Sequence, residues 1–213
     1  MKFSIISMLL ITSLLLGCSS VTIVPEQVQK GSINSTDNSQ TIRSSDIEIT
    51  ARVDESAINS YNLDSTVTAF QIVIKNISDN EISFNDDSYL LVDETGLQYS
   101  LLTPEKIRDM LKKDSYYLVP YPYVGFYYLE DYEKTTAYNS FTSSLPYYYD
   151  LYPQDIFTKF LSATTIIPGM KVEGLSYFKI DPAEHQKLKL LIYPKGTSKA
   201  SPPEFSFPFK IVK

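Results

Sequence analysis

The chain has one cysteine, one histidine and no tryptophan in 213 residues. A single thiol excludes an internal disulfide, so the fold must hold by its core alone. One histidine with one cysteine leaves no ligand set for structural zinc. A Ser-His-Asp mechanism would have to use His185, which lies in Asp181-Pro182-Ala183-Glu184-His185-Gln186-Lys187 with no Gly-x-Ser-x-Gly elbow nearby. That setting reads as a surface turn. Basic charge is scarce as well, with 19 Lys and Arg against 25 Asp and Glu. The acidic balance excludes the basic face that nucleic acid rewards and argues against electrostatic docking on anionic lipid. After the first eighteen residues no apolar run is long enough to cross a bilayer.

What is present starts at the N-terminus. Lys2 supplies a positive start, Phe3 to Leu16 is almost unbroken apolar sequence, and Leu15-Leu16-Gly17-Cys18 closes it as a bacterial lipobox. Residues 1–17 are therefore expected to be a lipoprotein signal peptide. Cys18 is expected to take diacylglycerol on its thiol and a further acyl chain, such as palmitate, on its freed amine. Multiple acyl chains give durable anchoring where one would not. Ser19 and Ser20 follow in place of aspartate, which in a Gram-negative cell favours the outer membrane. Residues 18–45 are rich in Ser, Thr, Asn and Gln, and their composition predicts a flexible tether with a reach of about 30 Å.

From Asp46 the texture predicts short strands. Ile47, Ile49, Ala51 and Val53 alternate with polar residues, as do Phe70, Ile72 and Ile74. Val67, Ala69 and Val73 make the second of these runs apolar on both faces, which suits a strand near the middle of a sandwich. Asp93-Glu94-Thr95-Gly96 reads as a hairpin turn, Pro168-Gly169 as another, and Asp181-Pro182 as a strand end. Phe205, Phe207, Phe209 and Ile211 alternate to the C-terminus, with Pro208 pointing the other way and suiting an edge or a bulge. Seven to eight strands in two groups predict a mainly β, immunoglobulin-like antiparallel β-sandwich over residues 46–213.

Three stretches carry a family resemblance: Phe70-Gln71-Ile72-Val73-Ile74-Lys75-Asn76-Ile77-Ser78-Asp79-Asn80, Asp93-Glu94-Thr95-Gly96-Leu97-Gln98-Tyr99, and Ile167-Pro168-Gly169 before a strand ending Phe178-Lys179-Ile180. In that order they resemble bacterial extracytoplasmic domains of the small immunoglobulin-like type, found on lipoproteins and related in type to the immunoprotective extracellular proteins. The resemblance implies the sandwich and the envelope address. It brings no activity and no catalytic residues.

Residues 103–165 are too long for a sandwich connection and are expected to be an insertion. Thr103-Pro104 is a helix start, with Ile107, Met110 and Leu111 as its stripe and an end near Lys112-Lys113. A second helix is expected from about Pro153 to Leu161, through Ile156, Phe157, Phe160 and Leu161. Twelve of the 17 tyrosines fall between Tyr116 and Tyr152. A tyrosine buries a large ring while keeping its hydroxyl wet, so such a cluster suits either a small second core or a contact surface. Tyr121, Tyr123, Phe126, Tyr127 and Tyr128 are the candidate binding residues.

Other chemistry is thin. Asp86-Asp87 and Asp93-Glu94 flank one strand without EF-hand spacing and read as solvated hairpin ends rather than a calcium site. Glu130-Asp131 would serve a glycosidase only across a cleft. No cofactor, metal or catalytic residue is expected. The expected role is a non-enzymatic binding module held to the membrane by its N-terminal lipid, with an envelope protein or glycan as partner. The alternatives are a structural or envelope-assembly accessory and, behind it, a cryptic hydrolase.

Overall fold

The computed structural model describes residues 21–59, 63, 66–115 and 154–213. Within them the chain is mainly β, with twelve strands: β1 (Thr22–Pro25), β2 (Gly31–Asn34), β3 (Ser39–Arg43), β4 (Ile47–Val53), β5 (Thr68–Asn76), β6 (Ile82–Phe84), β7 (Tyr89–Asp93), β8 (Gln98–Leu102), β9 (Thr164–Ile166), β10 (Lys171–Phe178), β11 (Lys187–Ile192) and β12 (Phe205–Val212). Ten of them form one sheet in the order β1-β12-β11-β7-β8-β10-β5-β4-β3-β2, and β6 pairs with β9 separately. Every strand pair is antiparallel.

β8 is the corner of this sheet. Its first residues pair with β7, whereas Leu101 and Leu102 pair with Phe178 and Tyr177 of β10. β1 and β2 stand at opposite edges, yet only Glu26–Lys30 join them. So short a link forces the sheet to curl until its edges approach. Glu26 ties the seam, its N–H donating to the Pro208 carbonyl at 2.8 Å and its carbonyl accepting from Gln40 Nε2 at 2.7 Å. The result is nearly a barrel, with more strands and a more continuous sheet than the seven to eight expected of a sandwich.

The alternating residues fill the interior. Ile49 and Ala51 of β4, Phe70, Ile72 and Ile74 of β5, Leu188, Leu190 and Ile192 of β11, and Phe205, Phe207 and Phe209 of β12 share one buried cluster. Phe70 sits between the two halves of the sheet, 5.8 Å from the Phe178 ring and 5.2 Å from that of Phe209. Burying one such side chain stabilises by about 1.5–3 kcal/mol, so this cluster dominates the stability.

Two expectations fail here. Residues 18–45 were expected to be a flexible tether, but β1, β2 and β3 occupy 22–43. A strand covered on one face needs only one apolar row, and Ile23 of β1 and Ile42 of β3 supply it at 6% and 3% exposure. The polar residues between them spend their backbone groups on pairing, so composition alone undervalues them. The folded domain thus begins at Thr22, not at residue 46. Pro208 was expected on an edge or a bulge, yet β12 has neighbours on both sides. Its missing N–H faces the place where β1 ends at Pro25, and its carbonyl still accepts from Glu26.

The inserted segment leaves and returns through two helices. Pro104–Ser115 starts as expected: Thr103 Oγ1 accepts from Lys106 N at 3.5 Å and the Thr103 carbonyl from Ile107 N at 3.2 Å. It runs slightly past the expected end at Lys112-Lys113. The returning helix is Gln154–Lys159, shorter than expected, with Ile156 buried and Phe157 exposed. Ile107 and Ile156 pack with Val67, Ala69, Leu102, Leu175 and Tyr177 in a second buried cluster. That cluster lies on the outer face of β5, β8 and β10, opposite the main core. The two-faced character of the β5 sequence finds its cause here.

Candidate functional site

Cys18, Tyr121, Tyr123, Phe126, Tyr127, Tyr128 and the Glu130-Asp131 pair lie outside the described residues. What the structure does position is the base from which the tyrosine-rich segment departs. After the Gln154–Lys159 helix, Phe160 forms a bridge to Leu175 and Leu161 N donates to the Leu175 carbonyl at 2.9 Å. The chain crosses β10 here, carrying Phe160 against the outer cluster and Leu161 into the main core. Gly174 permits the crossing: a Cβ there would lie 2.8 Å from Leu161 Cα and 2.9 Å from Leu161 N.

A groove of about 440 Å³ opens beside this crossing, lined by Asp54, Gln71, Thr158, Lys159 and Glu173 among others. It continues along the sheet into a second hollow that shares Gln71 and Glu173 and adds Asp37, Thr50 and Arg52. Thr50, Arg52, Gln71 and Glu173 are outward positions of β4, β5 and β10. Arg52 Nε donates to Gln71 Oε1 at 2.5 Å, and Gln71 Nε2 donates to Glu173 Oε1 at 2.5 Å. Arg52 also lies 3.7 Å from the Asp54 carboxylate. Hydrogen bonds from Ser39, followed by the more distant Arg52 charge, hold the Asp37 carboxyl below its usual range against a raising effect of burial. The groove is thus a row of planar polar groups suited to hydrogen bonding.

Another cluster of titratable side chains among the described residues lies at the β7–β8 turn. Asp93 Oδ1 accepts from Thr95 N (2.8 Å), Thr95 Oγ1 (2.7 Å) and Leu97 N (3.0 Å), and Oδ2 accepts from the Tyr99 hydroxyl (3.1 Å). Burial pushes this carboxyl up, but the donors from Thr95, Leu97 and Tyr99 together outweigh it and bring the pKa to about 2. Gly96, at φ 88°, makes the turn possible. His185 Nδ1 stands 3.4 Å from Glu94 Oε2 and 4.0 Å from Asp93 Oδ2, and its ring meets Tyr99 edge-on at 6.4 Å. At 15% side-chain exposure it is packed against the hairpin rather than free in a surface turn. The local sequence misled because its contacts come from residues about ninety positions earlier. Both Asp93 oxygens are engaged, Oδ1 within the turn and Oδ2 by Tyr99 of β8. Among the described residues no three His, Cys, Asp or Glu side chains converge as a metal-holding group.

A wider cleft of about 810 Å³ runs between the Glu26–Lys30 connection and the strands β7, β11 and β12. Its charges alternate: Glu26, Lys30, Glu94, Lys187, Lys189 and Glu204 all line it. Lys187 Nζ spans it to Glu26 Oε1 at 3.1 Å. Neither groove was visible in the sequence, because outward polar positions on a strand read as ordinary solvated residues. Compared with known proteins, the chain matches no family model, no curated protein and no solved structure.

Proposed function

We propose that the chain is a lipid-anchored envelope protein that acts as a non-enzymatic binding module and uses its tyrosine-rich insertion as the contact face. Cys18 carries the lipid, and Ser19-Ser20 direct the protein to the outer membrane if the cell is Gram-negative. We take the two facing halves of the sheet, sharing β8, as an elaborated immunoglobulin-like sandwich. What supports the binding role is the way the insertion is rooted. The two described helices of the insertion pack on the outer face of β5, β8 and β10 through Ile107 and Ile156, opposite the main core. A scaffold of this kind presents a segment without requiring it for closure of the barrel. The partner class is an envelope protein or glycan, since aromatic anchors serve both.

A second role, an envelope-assembly accessory, is favoured by the outer cluster itself, which makes part of the insertion internal packing. The two separate on Tyr121, Tyr123, Phe126, Tyr127 and Tyr128. If these form the contact face, single Ser substitutions change the denaturant midpoint by no more than about 0.5 kcal/mol of stability. Capture by a photoreactive group at Tyr127 in intact cells is lost in the same variants. Losses of about 3–5 kcal/mol at most of the positions would make the rings core and leave the accessory role.

A further inference from the structure

We propose that the end of the barrel where β1 begins is a membrane-seating surface, resting directly on a zwitterionic phospholipid headgroup layer. This rests on the lipid anchor at Cys18 and adds to it the orientation of the folded body. Between Cys18 and Thr22 stand only Ser19, Ser20 and Val21. An extended chain advances at most about 3.6 Å per residue, so Thr22 lies within about 14 Å of the acylated residue. Headgroups fill about 5–8 Å of that distance on each leaflet. Less than the width of two strands then remains between the lipid surface and β1. Thr22 cannot swing away to lengthen the link, because residues 22–25 pair with 209–212 and Ile23 is buried.

The register fixes what shares that end. Thr22 lies opposite Val212, Lys210 opposite Lys187, and Leu188 opposite Asp93 at the start of the β7–β8 turn. The surface therefore carries two exposed apolar side chains, Leu97 at 57% and Val212 at 45%, beside the lysines 187, 210 and 213. Lys187 lies opposite Lys210 and is already paired with Glu26 at 3.1 Å, whereas the Lys210 side chain is exposed. Headgroup phosphates accept from the exposed Lys210 and Lys213. At the same end Glu94 is paired with His185 and Asp181 caps its own turn, which leaves the exposed Glu184 to meet the headgroup ammonium groups. A surface of both signs fits a headgroup that carries both, which is why the occupant is zwitterionic lipid rather than an anionic patch.

The test uses the full acylated chain, in which the Cys18 thiol is consumed by lipid and an introduced cysteine is the sole labelling site. Leu97→Cys, Val212→Cys and Ala200→Cys are each given a fluorophore and bound to phosphatidylcholine vesicles bearing a headgroup nitroxide. All three positions are exposed, so the labels leave the core intact. Residue 200 lies in the β11–β12 connection at the opposite end, about 27 Å away along the eight residues of β12. Quenching several-fold stronger at 97 and 212 than at 200 is expected. Equal quenching at all three in acylated, vesicle-bound protein overturns the seating surface and leaves the anchor standing. Absence of acyl mass on Cys18 overturns both.

Discussion

Asp93 does at one residue what a longer loop would need several to do. Its carboxylate gathers two backbone N–H groups and two hydroxyls, so the β7–β8 turn and the Tyr99 side chain are held by one ionised group. Its pKa of about 2 lies below the ordinary aspartate value of about 3.9. The folded state therefore binds this proton less readily than the unfolded state. The stabilisation is complete above about pH 4 and is lost as pH falls through about 2. Asp93→Asn should flatten the dependence of stability on pH in that window, as read from denaturation curves at stepped pH. A slope unchanged by the substitution would mean that other carboxylates carry the acid sensitivity. Gly174 is constrained in a different way, by space. Gly174→Ala places a methyl group within 3 Å of the Leu161 backbone, which cannot move aside as a flexible side-chain tip would. A loss of about 1–3 kcal/mol in unfolding free energy is expected from denaturant titration, the usual cost of overpacking. An unaffected midpoint would show that the chain does not cross β10 so closely.

At the scale of elements, the strands that could be read from residues are those whose apolar rows reach the main core. The alternation in β4, β5 and β12 and the turn chemistry at Asp93–Gly96 each matched one physical constraint, burial on one face or a positive φ. The double-sided run of β5 was legible for the same reason, although what covers its second face was not. The helix at Thr103-Pro104 announced itself by its cap. β1 to β3 were illegible because so few of their residues are apolar: their signal is the spacing of Ile23, Ile33 and Ile42 among polar residues, which resembles a linker. Pro208 misled by a related route. Proline is excluded from a ladder only on the side its N–H would face, and sequence does not say which side that is. The groove through Arg52, Gln71 and Glu173 depends on three strands meeting in register, information that no single stretch contains.

For the whole molecule the decisive feature is closure. The sheet's two edges are brought together by Glu26–Lys30, and the seam is made by the N-terminal strands that composition assigns to a tether. If β1 to β3 were ornamental, a chain starting at Asp46 would fold on its own. Removing them strips Ile23 and Ile42 from the main core, about 1.5–3 kcal/mol each. It also removes the backbone pairing of β1 with β12 and of β3 with β4, and leaves those two inner strands as bare edges. Set against a total stability of about 5–15 kcal/mol for a domain, this loss is of the same order as what the fold has to spare. Newly exposed edges then offer unpaired N–H and C=O groups to other copies. A chain of residues 46–213 is therefore expected to give weak, non-cooperative thermal transitions and to elute as aggregate. One that begins at Val21 should be monomeric, β-dominated by circular dichroism and indifferent to reductant, having no cysteine left to reduce. A monomeric 46–213 chain with a cooperative transition matching the longer one would show that the seam contributes nothing and that the N-terminal strands are detachable.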